Sequence, residues 1–373
     1  MSELERLIQE LCPNGVEFKK ISDVCDISRG QVISKDFIKE NAGEYPVYSS
    51  QTENNGELGK INSYMYDGEY LTWTTDGANA GTVFYRTGKF SVTNVCGLLK
   101  VNTPLLRVKF LYYALFSEAP KHVSSGMGNP KLMSNVMGRI KVPVPPLEVQ
   151  REIVRILDTF TELTAELTAE LTAREKQFDE IAFRLLKRNK EYPQYVLSDI
   201  CDINKGKTAI QKAVVGEFPL VVTTTERKSN NTYQFDEPAV CIPLVSSRGH
   251  GVASLNHVYY QEGKFALGNI LCAVTVKNKN LVSAKYLYYY FECTKNYTLV
   301  PLMKGGANVA MTVSDIAKVK VPIPSISEQE DIIAKLESLE EYCNYSLPKE
   351  IELRTQQYEY YRDKLLTFQE MSV

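Results

Sequence analysis

Side chains that commonly catalyse reactions or hold metals are few in this sequence. Its three histidines stand at positions 122, 250 and 257, which leaves little for acid–base or metal chemistry built on imidazole. The eight cysteines stand at 12, 25, 96, 201, 241, 272, 293 and 343, and none forms a CxxC pair. We therefore expect structural thiols and neither a metal site nor a disulfide framework.

Two short stretches match nucleotide-binding or methyl-transfer motifs only in part. Gly206-Lys207-Thr208 has the end of a phosphate-binding loop, but that pattern needs glycine at position 201, where the chain has Cys201. Asn129-Pro130 is followed by Lys131 and not by the Pro-aromatic pair of an amino-methyltransferase motif. No glycine-rich methyl-donor loop is evident after a strand. A stand-alone enzyme is therefore not predicted.

The elements that would position a functional site occur twice along the chain. SDVCDI at 22–27 returns as SDICDI at 198–203, and KVPVPPLEVQREIVRILDTF at 141–160 returns as KVPIPSISEQEDIIAKLESL at 320–339. Further matching segments occur in the same order in both copies, at offsets of 173 to 180 residues. The pattern indicates an internal duplication.

The predicted secondary-structure elements follow one another in the same order in each copy. Short apolar runs broken by Gly, Asn, Ser and Thr predict strands and turns. A tyrosine-rich helix follows, at 110–116 or 286–293, which we expect to be packed core and not a platform for stacking. KVPVP or KVPIP then predicts an extended exit, because proline and the residue before it both resist helix formation.

After Pro146 and Ser325 the pattern becomes helical. Apolar residues spaced by threes and fours predict one buried stripe on each of two segments of about 40 residues, each roughly 60 Å long if straight. Pro348 should kink the second helix. Because neither stripe can be hidden alone, we expect an antiparallel coiled coil. The predicted packing residues are Leu163, Leu167, Leu171, Phe178, Leu336, Leu339, Tyr358 and Tyr361.

The first helical segment contains TELTAELTAELTA at 161–173, with two complete Thr-Ala-Glu-Leu units. Each unit adds about 6 Å of helix and about 40° of rotation. The repeat therefore predicts a spacer that can be lengthened in small steps. An ordinary amphipathic helix with accidental repetition is the alternative, and it explains the helix but not the copying.

Length and composition are those of a globular chain with room for two domains. It has 373 residues, 44% of them hydrophobic and 24% charged. No apolar run reaches the length of a signal peptide core or a membrane span, so we expect a cytoplasmic protein. The net charge of the chain is −2. Segments 147–190 and 325–373 together carry −7, and the remainder of the chain carries +5. This segregation favours anionic partners for the non-helical parts, although solvated helix faces would also explain it.

This organisation closely resembles the specificity (S) subunit of type I restriction-modification enzymes. The resemblance is carried by MSELERLIQELCPNGVEFKKISDV at the start, the two KVP-(V/I)-P segments with their helices, and the Thr-Ala-Glu-Leu repeat. The final QYEYYRDKLLTF at 357–368, which pairs with QFDEIAFRLLKR at 177–188, also matches. Together these pieces cover essentially the whole chain.

The resemblance implies an α+β fold with a pseudo-twofold internal repeat. Two similar globular target-recognition domains, each of mixed strand and helix, would be joined by two long antiparallel helices that form a coiled-coil spacer. We expect the domains at 1–146, including an N-terminal helix, and 191–325, and the spacer helices at 147–190 and 326–373. The helix from Leu4 to Leu11 should pack near the C-terminal helix.

In that family each domain reads one half of a split target in double-stranded DNA. The helices set the distance between the halves and hold two methyltransferase (M) subunits, which restriction (R) subunits join. The resemblance thus implies a non-catalytic chain without a cofactor, with S-adenosylmethionine, ATP and Mg on the partner subunits only, and no membrane. A coiled-coil adaptor that bridges two protein ligands without binding DNA is the alternative.

The candidate DNA contacts are polar loops punctuated by glycine. Arg and Lys bind guanine edges or phosphates, and Asn and Gln pair with adenine; for any single residue, ordinary turn chemistry remains the alternative. In the first copy the candidates are Arg29, Gly30, Gln31, Ser49, Ser50, Gln51, Thr74, Thr75, Asp76, Asn79, Asn129 and Lys131. In the second they are Lys205, Lys207, Thr224, Thr225, Arg227, Lys228, Ser246, Ser247, Arg248, His250 and Lys304. Residues 50–87 and 223–262 hardly align, as expected if the copies read different bases.

Overall fold

The computed structural model of the chain describes residues 3–124, 128–186, 192–248 and 251–371. It divides into two compact units, which we call the first unit and the second unit. The first unit comprises Met1–Glu166 with Ile351–Val373, and the second comprises Leu167–Glu350. Each is described by itself below.

The helices follow the order expected from the duplicated sequence. They are α1 Glu3–Leu11, α2 Ile21–Val24, α3 Lys35–Glu40, α4 Val108–Glu118, α5 Ser134–Met137, α6 Leu147–Leu186, α7 Leu197–Ile200, α8 Ala284–Thr298, α9 Val313–Ala317, α10 Ile326–Glu341 and α11 Leu347–Leu366. Short 3₁₀ turns lie at Glu53–Gly56, Ala119–His122, Ile210–Lys212 and Val300–Leu302, and a π-helical turn lies at Tyr342–Ser346.

The strands repeat in the same way. In the first unit they are β1 Glu17–Lys20, β2 Cys25–Arg29, β3 Ala42–Tyr48, β4 Glu57–Ile61, β5 Tyr66–Asp67, β6 Tyr70–Thr74, β7 Val83–Arg86, β8 Lys89–Val92, β9 Cys96–Val101 and β10 Lys141–Val144. In the second they are β11 Gln194–Val196, β12 Cys201–Lys205, β13 Phe218–Val221, β14 Lys228–Asn230, β15 Ala239–Pro243, β16 Tyr259–Gln261, β17 Ala266–Leu267, β18 Leu271–Val276 and β19 Lys320–Pro322.

The first unit holds two main sheets with the same neighbours as their counterparts in the second. Its sheets run β2-β9-β6-β7 and β4-β3-β8-β5, and those of the second unit run β12-β18-β15-β16 and β14-β13-β17. Even the one parallel pairing among these described strands of each unit is repeated, β3 with β8 and β13 with β17. The strand register therefore aligns the two units residue by residue, placing Ser91 opposite Val47 and Ala266 opposite Leu220.

The tyrosine-rich helices are packed core, as predicted. In α4, Phe110, Leu111 and Tyr113 are buried, and α8 buries a corresponding set. Trp73 on β6 is fully buried against this layer, and its indole nitrogen donates to the Leu132 carbonyl at 2.9 Å. The eight cysteines are free, and all but the half-buried Cys293 are buried, consistent with structural thiols.

A buried glutamine fastens each long helix to its unit. Gln150 accepts a hydrogen bond from the Arg107 amide at 2.9 Å and donates to the carbonyls of Leu105 and Pro145 at 2.8 and 2.7 Å. The equivalent Gln329 accepts from the Ser283 amide and donates to the carbonyls of Leu281 and Pro324. Both side chains are fully buried. Each glutamine thereby satisfies backbone groups that would otherwise be buried without partners.

Carboxylates about two to three turns further along the helices bind a lysine and a tyrosine of each tyrosine-rich helix. In the first unit Asp158 accepts from both Lys109 and Tyr113, at 2.7 and 2.6 Å. In the second unit two residues divide these contacts, Glu337 pairing with Lys285 and Glu340 accepting from Tyr289. The junction between helix and domain is thus duplicated in position but not in every residue.

The two long helical segments contact each other within both units. Phe160 stacks on Tyr361 in the first unit with ring centroids 5.5 Å apart, and Glu170 accepts from the Tyr342 hydroxyl at 3.4 Å in the second. Of the predicted packing residues only Leu336 is fully buried. Leu163, Leu167, Leu171, Phe178, Leu339, Tyr358 and Tyr361 are half-buried, because one facing helix covers only a narrow seam.

Threonines of the repeat bond within their own helix. The Thr164 hydroxyl donates to the Phe160 carbonyl at 2.9 Å and the Thr172 hydroxyl to the Thr168 carbonyl at 3.1 Å. Each of these two hydroxyls thereby has an acceptor within its own helix. Near Pro348, where a kink was predicted, the second helical segment widens into the π turn Tyr342–Ser346. Proline cannot donate to the carbonyl four residues before it, which favours such a change of hydrogen bonding.

The start and end of the chain meet in the first unit. The Val16 amide donates to the Gln369 carbonyl at 2.9 Å, and the Met371 amide donates to the Val16 carbonyl at 3.0 Å. Leu4 of α1 is buried in the same apolar cluster that Leu365 joins from α11. The predicted packing of the N-terminal helix near the C-terminal helix is confirmed.

Candidate nucleic-acid interface

In the first unit, two of the predicted loops converge on Thr93. The Gln31 amide donates to the Val92 carbonyl at 3.2 Å, and Gln31 forms a β-bridge with Thr93. The Thr93 hydroxyl donates to Ser49 Oγ at 3.0 Å. Arg29, at the end of β2, lies with its Nη2 3.5 Å from Met133 Sδ. The end of β2 and the loop after β3 therefore lie side by side.

The other two predicted loops join this surface. Asp76 forms a β-bridge with Lys131, and Lys131 Nζ lies 3.7 Å from Asp76 Oδ1. Asn79 donates to the Thr52 hydroxyl at 3.2 Å, next to the predicted Ser49-Ser50-Gln51 loop. All four predicted loops of the first copy are thus brought together, although they lie up to about a hundred residues apart in the chain.

The members of this set differ in accessibility. Arg29, Gln31, Asn79, Asn129 and Lys131 are exposed, and Gly30, Ser49, Ser50, Gln51 and Asp76 are half-buried. Thr74 and Thr75 are buried, at 1% and 0% exposure. The Thr75 hydroxyl is 2.6 Å from Asp76 Oδ2 and 3.0 Å from the Val95 carbonyl. These two threonines lie beneath the surface and do not reach it with their side chains.

In the second unit, the loop after β12 is held by a glutamine that the sequence did not indicate. Gln234 accepts from the Lys207 amide at 2.9 Å and donates to the Lys205 carbonyl at 3.0 Å. Both lysine side chains are exposed. Gln234 therefore fixes the backbone that presents these two cations.

A second group forms around Ser246 and Lys304. The Ser246 amide donates to the Val309 carbonyl, and Lys304 pairs with Ala310 through two backbone hydrogen bonds of 2.8 and 3.0 Å. The Ser246 hydroxyl donates to the Val252 carbonyl at 2.5 Å. Ser247 and Arg248 are exposed beside it, whereas His250 lies outside the described residues.

Arg227 organises a third group. Its Nε donates to Gln261 Oε1 at 2.9 Å, its Nη1 to the Thr225 carbonyl at 3.1 Å, and its Nη2 to the Tyr260 carbonyl at 3.2 Å. Thr224, Thr225, Arg227 and Lys228 are all exposed. This arginine folds its own loop, so its donors are largely occupied.

Arg86 in β7 is a further polar residue that the sequence did not single out. It is only 2% exposed, its guanidinium lies 3.5 Å above the Tyr48 ring centroid, and its Nε donates to the Thr72 hydroxyl at 3.1 Å. Burial lowers the pKa of Arg86, an effect that the nearby Tyr48 and Cys96 only partly offset. Arg86 stands between Tyr85 and Thr87, and this local sequence gave no signal of a buried environment.

The chain belongs to the family described as the type I restriction modification DNA specificity domain, whose model matches it twice, at residues 13–174 and 189–353. A Mycoplasma pneumoniae protein named as type I specificity subunit S.MpnORF507P is 35% identical over 371 residues, covering 93% of this chain and 96% of that protein. The resemblance identified from the sequence is therefore confirmed.

Two solved structures share the fold. The S subunit of a type I restriction-modification system from M. genitalium aligns with a TM-score of 0.57 and 17% identity, over 94% of this chain and 96% of its own. A chain from a structure concerned with complex assembly and conformational transition of the type I restriction-modification system aligns with a TM-score of 0.63 and 16% identity, over 95% and 98%. The predicted fold class is confirmed.

The described residues contain no grouping of three or more His, Cys, Asp or Glu side chains placed to bind a metal ion. None of the helices formed by these residues is both long and apolar enough to traverse a lipid bilayer.

Proposed function

We propose that this chain is the DNA sequence-recognition subunit of a type I restriction-modification complex. Each unit reads one half of a bipartite, asymmetric target in double-stranded DNA, and the chain itself is non-catalytic and cytoplasmic. Residues 1–146 and 191–325 are the reading domains, and 147–190 with 326–373 are the spacer. Of the predicted contact residues, the exposed ones approach the DNA and the buried Thr74 and Thr75 support them.

The observation that carries this proposal is a repeated frame with diverged loops. Gln150 and Gln329 make the same set of hydrogen bonds at the two helix junctions. The loops mounted on these frames differ, since the Ser49 loop contacts Thr93 whereas the Thr225 loop folds back on Tyr260 through Arg227. Two readers of different base sequences require this combination of constant support and variable surface.

The position of the tetrapeptide repeat supports its role as a spacer. The apolar cores of the two units draw on α6 up to Leu157 and again from Phe178. The Thr-Ala-Glu-Leu units lie between these positions, inside the described helix Leu147–Leu186. Four residues can therefore be added or removed there without removing a side chain from either core.

The helical segments offer surfaces for partner subunits. Leu353 and Tyr360 on α11 are 52% and 61% exposed, and their spacing of seven residues places them on one helix face. Exposed apolar side chains of this kind mark protein contacts. We propose that the helices dock two methyltransferase subunits, which restriction subunits then join. S-adenosylmethionine, ATP and Mg would be bound by those partners.

The decisive experiment is a genome-wide methylation map of cells that express this chain with its cognate methyltransferase subunit. The map is compared with that of a variant lacking Thr168 to Leu171. We expect a split motif whose two halves persist, with a gap that is shorter by about one or two base pairs in the deletion. Thr168→Ala, which preserves the helix length, is the matched control and should leave the gap unchanged.

Two results would contradict parts of this proposal separately. An unchanged gap in the deletion variant would leave sequence recognition standing and exclude the repeat as the determinant of spacing. No chain-dependent methylation from a folded, partner-bound complex would exclude DNA reading and favour a protein adaptor.

A further inference from the structure

A cluster of polar side chains lies between the two sheets of the first unit. Its members Thr72, Thr74 and Arg86 are 0%, 1% and 2% exposed. Ser91 is 0% exposed but faces the opposite side of β8, because its neighbours Phe90 and Val92 pack in the cluster that contains Tyr70. The Thr74 hydroxyl, the Ser91 hydroxyl and both Nη atoms of Arg86 have no hydrogen-bond partner among the described residues. Buried polar groups in folded proteins nearly always have partners, so this cluster requires an explanation.

The environment of Arg86 leaves a particular part of its guanidinium free. Its Nε is occupied by Thr72, and the rings of Tyr48 and Phe84 lie 3.5 and 4.5 Å from the guanidinium carbon. These contacts fix the plane of the group. The two Nη atoms remain as a pair of parallel donors, the geometry that takes two acceptors at once.

A buried cation is unfavourable when neither hydrogen-bond acceptors nor a counter-charge of the protein compensate its desolvation. The guanidinium does not become neutral, because arginine keeps its proton under ordinary conditions. The two Nη groups of Arg86 are therefore charged donors for which the described residues provide no acceptors. A ligand that brings two acceptors would recover this energy.

The segment that covers Arg86 belongs to the predicted DNA-contact surface. A β-carbon at Gly56 would lie 3.0 Å from Arg86 Nη2, so the backbone there rests on the guanidinium. Gly56, Asn54 and Asn55 all have positive φ, at 76°, 49° and 54°. The segment is attached by polar contacts, the Ser49 amide to the Gly56 carbonyl and the Gln51 side chain to the Glu57 carbonyl. Asn79 also donates to the Thr52 hydroxyl. Glu53, Asn54 and Asn55 are exposed, and a turn held mainly by polar contacts opens at low cost.

The second unit shows that the frame does not need this arginine. Strand register places Tyr70 opposite Arg86 and Ala239 opposite Gln261, so Gln261 takes the equivalent place. Cys241 and Ala266 there replace Thr72 and Ser91, and both are buried in apolar clusters. The polar cluster is therefore specific to the first unit and not a requirement of the shared fold.

We propose that Arg86 is a specificity-determining residue, whose two Nη groups donate to O6 and N7 of a guanine once Gln51–Gly56 has moved aside. A bidentate arginine is the commonest specific contact to guanine in the major groove. This assignment rests on the proposed function, because it needs the first unit to read DNA. The contact made by Arg86 would add to those of the exposed loops, because Arg86 is buried beneath them.

The first test uses the unaltered chain in complex with its methyltransferase subunit. Each guanine of the two half-sites is replaced in turn by 7-deazaguanine, which lacks the N7 acceptor. We expect the methylation rate to fall about tenfold at one guanine of one half-site. Insensitivity at every guanine would overturn the proposal, whereas absence of sequence-specific methylation on unmodified DNA would instead refute the proposed function.

The second test separates base reading from structural support. The Arg86→Met complex should no longer respond to 7-deazaguanine at that position, and its melting temperature should equal or exceed that of the parent chain, because an apolar side chain replaces an unpaired charge. Lys89→Met is the matched control, since Lys89 is an exposed cation 4.7 Å from the Tyr64 ring centroid in the same unit. It should respond as the parent chain does.

Arg86→Lys keeps the test decisive if Arg86→Met fails to fold. A lysine cannot donate to both acceptors in the fork geometry, so its response to 7-deazaguanine should be weaker than that of the parent chain. An undiminished response in either folded variant would assign the guanine contact to another residue and overturn the proposal.

Discussion

The two units differ most where their sheets face each other and least where they join the long helices. At the helix junctions, Gln150 and Gln329 have the same partners in the same order. Between the sheets, the first unit buries Thr72 where the second buries Cys241, and on the opposite face of the neighbouring sheet it buries Ser91 where the second buries Ala266. The duplicated chain thus keeps its attachment to the spacer constant, while the layer beneath the reading loops varies in polarity.

This difference shows how one fold can support two readers. The attachment must hold each domain at a fixed place on the helix, which favours buried hydrogen bonds with strict geometry. The layer under the loops has only to support them, and both a polar and an apolar filling keep the same strand register. Variation at that layer changes loop chemistry without changing the frame.

The largest effect is expected from removing the glutamine that both units keep at the helix junction. Gln150→Ala leaves the Arg107 amide and the Leu105 and Pro145 carbonyls buried without their partner, so we expect a loss of about 3 kcal/mol in the free energy of unfolding. The same loss is expected for Gln329→Ala in the second unit. Trp73 is the only tryptophan and is fully buried in the first unit. Its fluorescence during urea unfolding should therefore report Gln150→Ala and not Gln329→Ala.

The control for that pair is Gln356→Ala on the exposed face of α11, whose change should stay within about 0.5 kcal/mol. If Gln329→Ala shifts the Trp73 transition as far as Gln150→Ala does, the two units unfold together and their junctions do not act independently.

A smaller effect should distinguish the two junctions. Asp158 accepts from both Lys109 and Tyr113, whereas Glu340 accepts from Tyr289 while Glu337 holds Lys285. Asp158→Asn should therefore cost about 2 kcal/mol and Glu340→Gln about 1 kcal/mol. Hydrogen exchange of the α4 and α8 amides measures each change locally. Equal costs would show that the shared carboxylate gives the first unit no additional stability.

The smallest effect is expected from exchanging Ser91 and Ala266, the equivalent buried residues that differ between the units. Ser91→Ala removes a buried hydroxyl without a hydrogen-bond partner among the described residues and should stabilise the first unit by about 1 kcal/mol. The reverse change in the second unit, Ala266→Ser, should destabilise it by about the same amount. Thermal unfolding followed by circular dichroism measures both. A Ser91→Ala variant that is less stable would indicate that the hydroxyl has a bound partner in solution.

Much of the frame could be predicted because duplication and periodicity leave local traces in the sequence. The repeated KVP-(V/I)-P segments placed the exits β10 and β19, and spacing by threes and fours predicted α6. The loop set of the first unit could be predicted as a group, since polar residues next to glycine mark turns.

The polar layer could not be predicted, because it depends on side chains from three separate strands. Tyr48, Thr72 and Arg86 lie on β3, β6 and β7, and nothing in their local sequence indicates that they meet. Burial of Thr74 and Thr75 was missed for the same reason. A Thr-Thr-Asp turn looks exposed until the packing of β6 against β9 is known.

The hydrogen bonds between Val16 and residues 369 and 371 have a consequence for synthesis on the ribosome. The first unit combines the first 166 residues with the stretch from Ile351 onward, so its last contacts cannot form until residues 369 and 371 have been synthesised. At typical rates of synthesis the delay is roughly tens of seconds. The second unit, whose residues are contiguous in sequence, can fold during this interval. The half of the molecule made first is therefore finished last, and chaperones would meet its unpaired edge while translation continues.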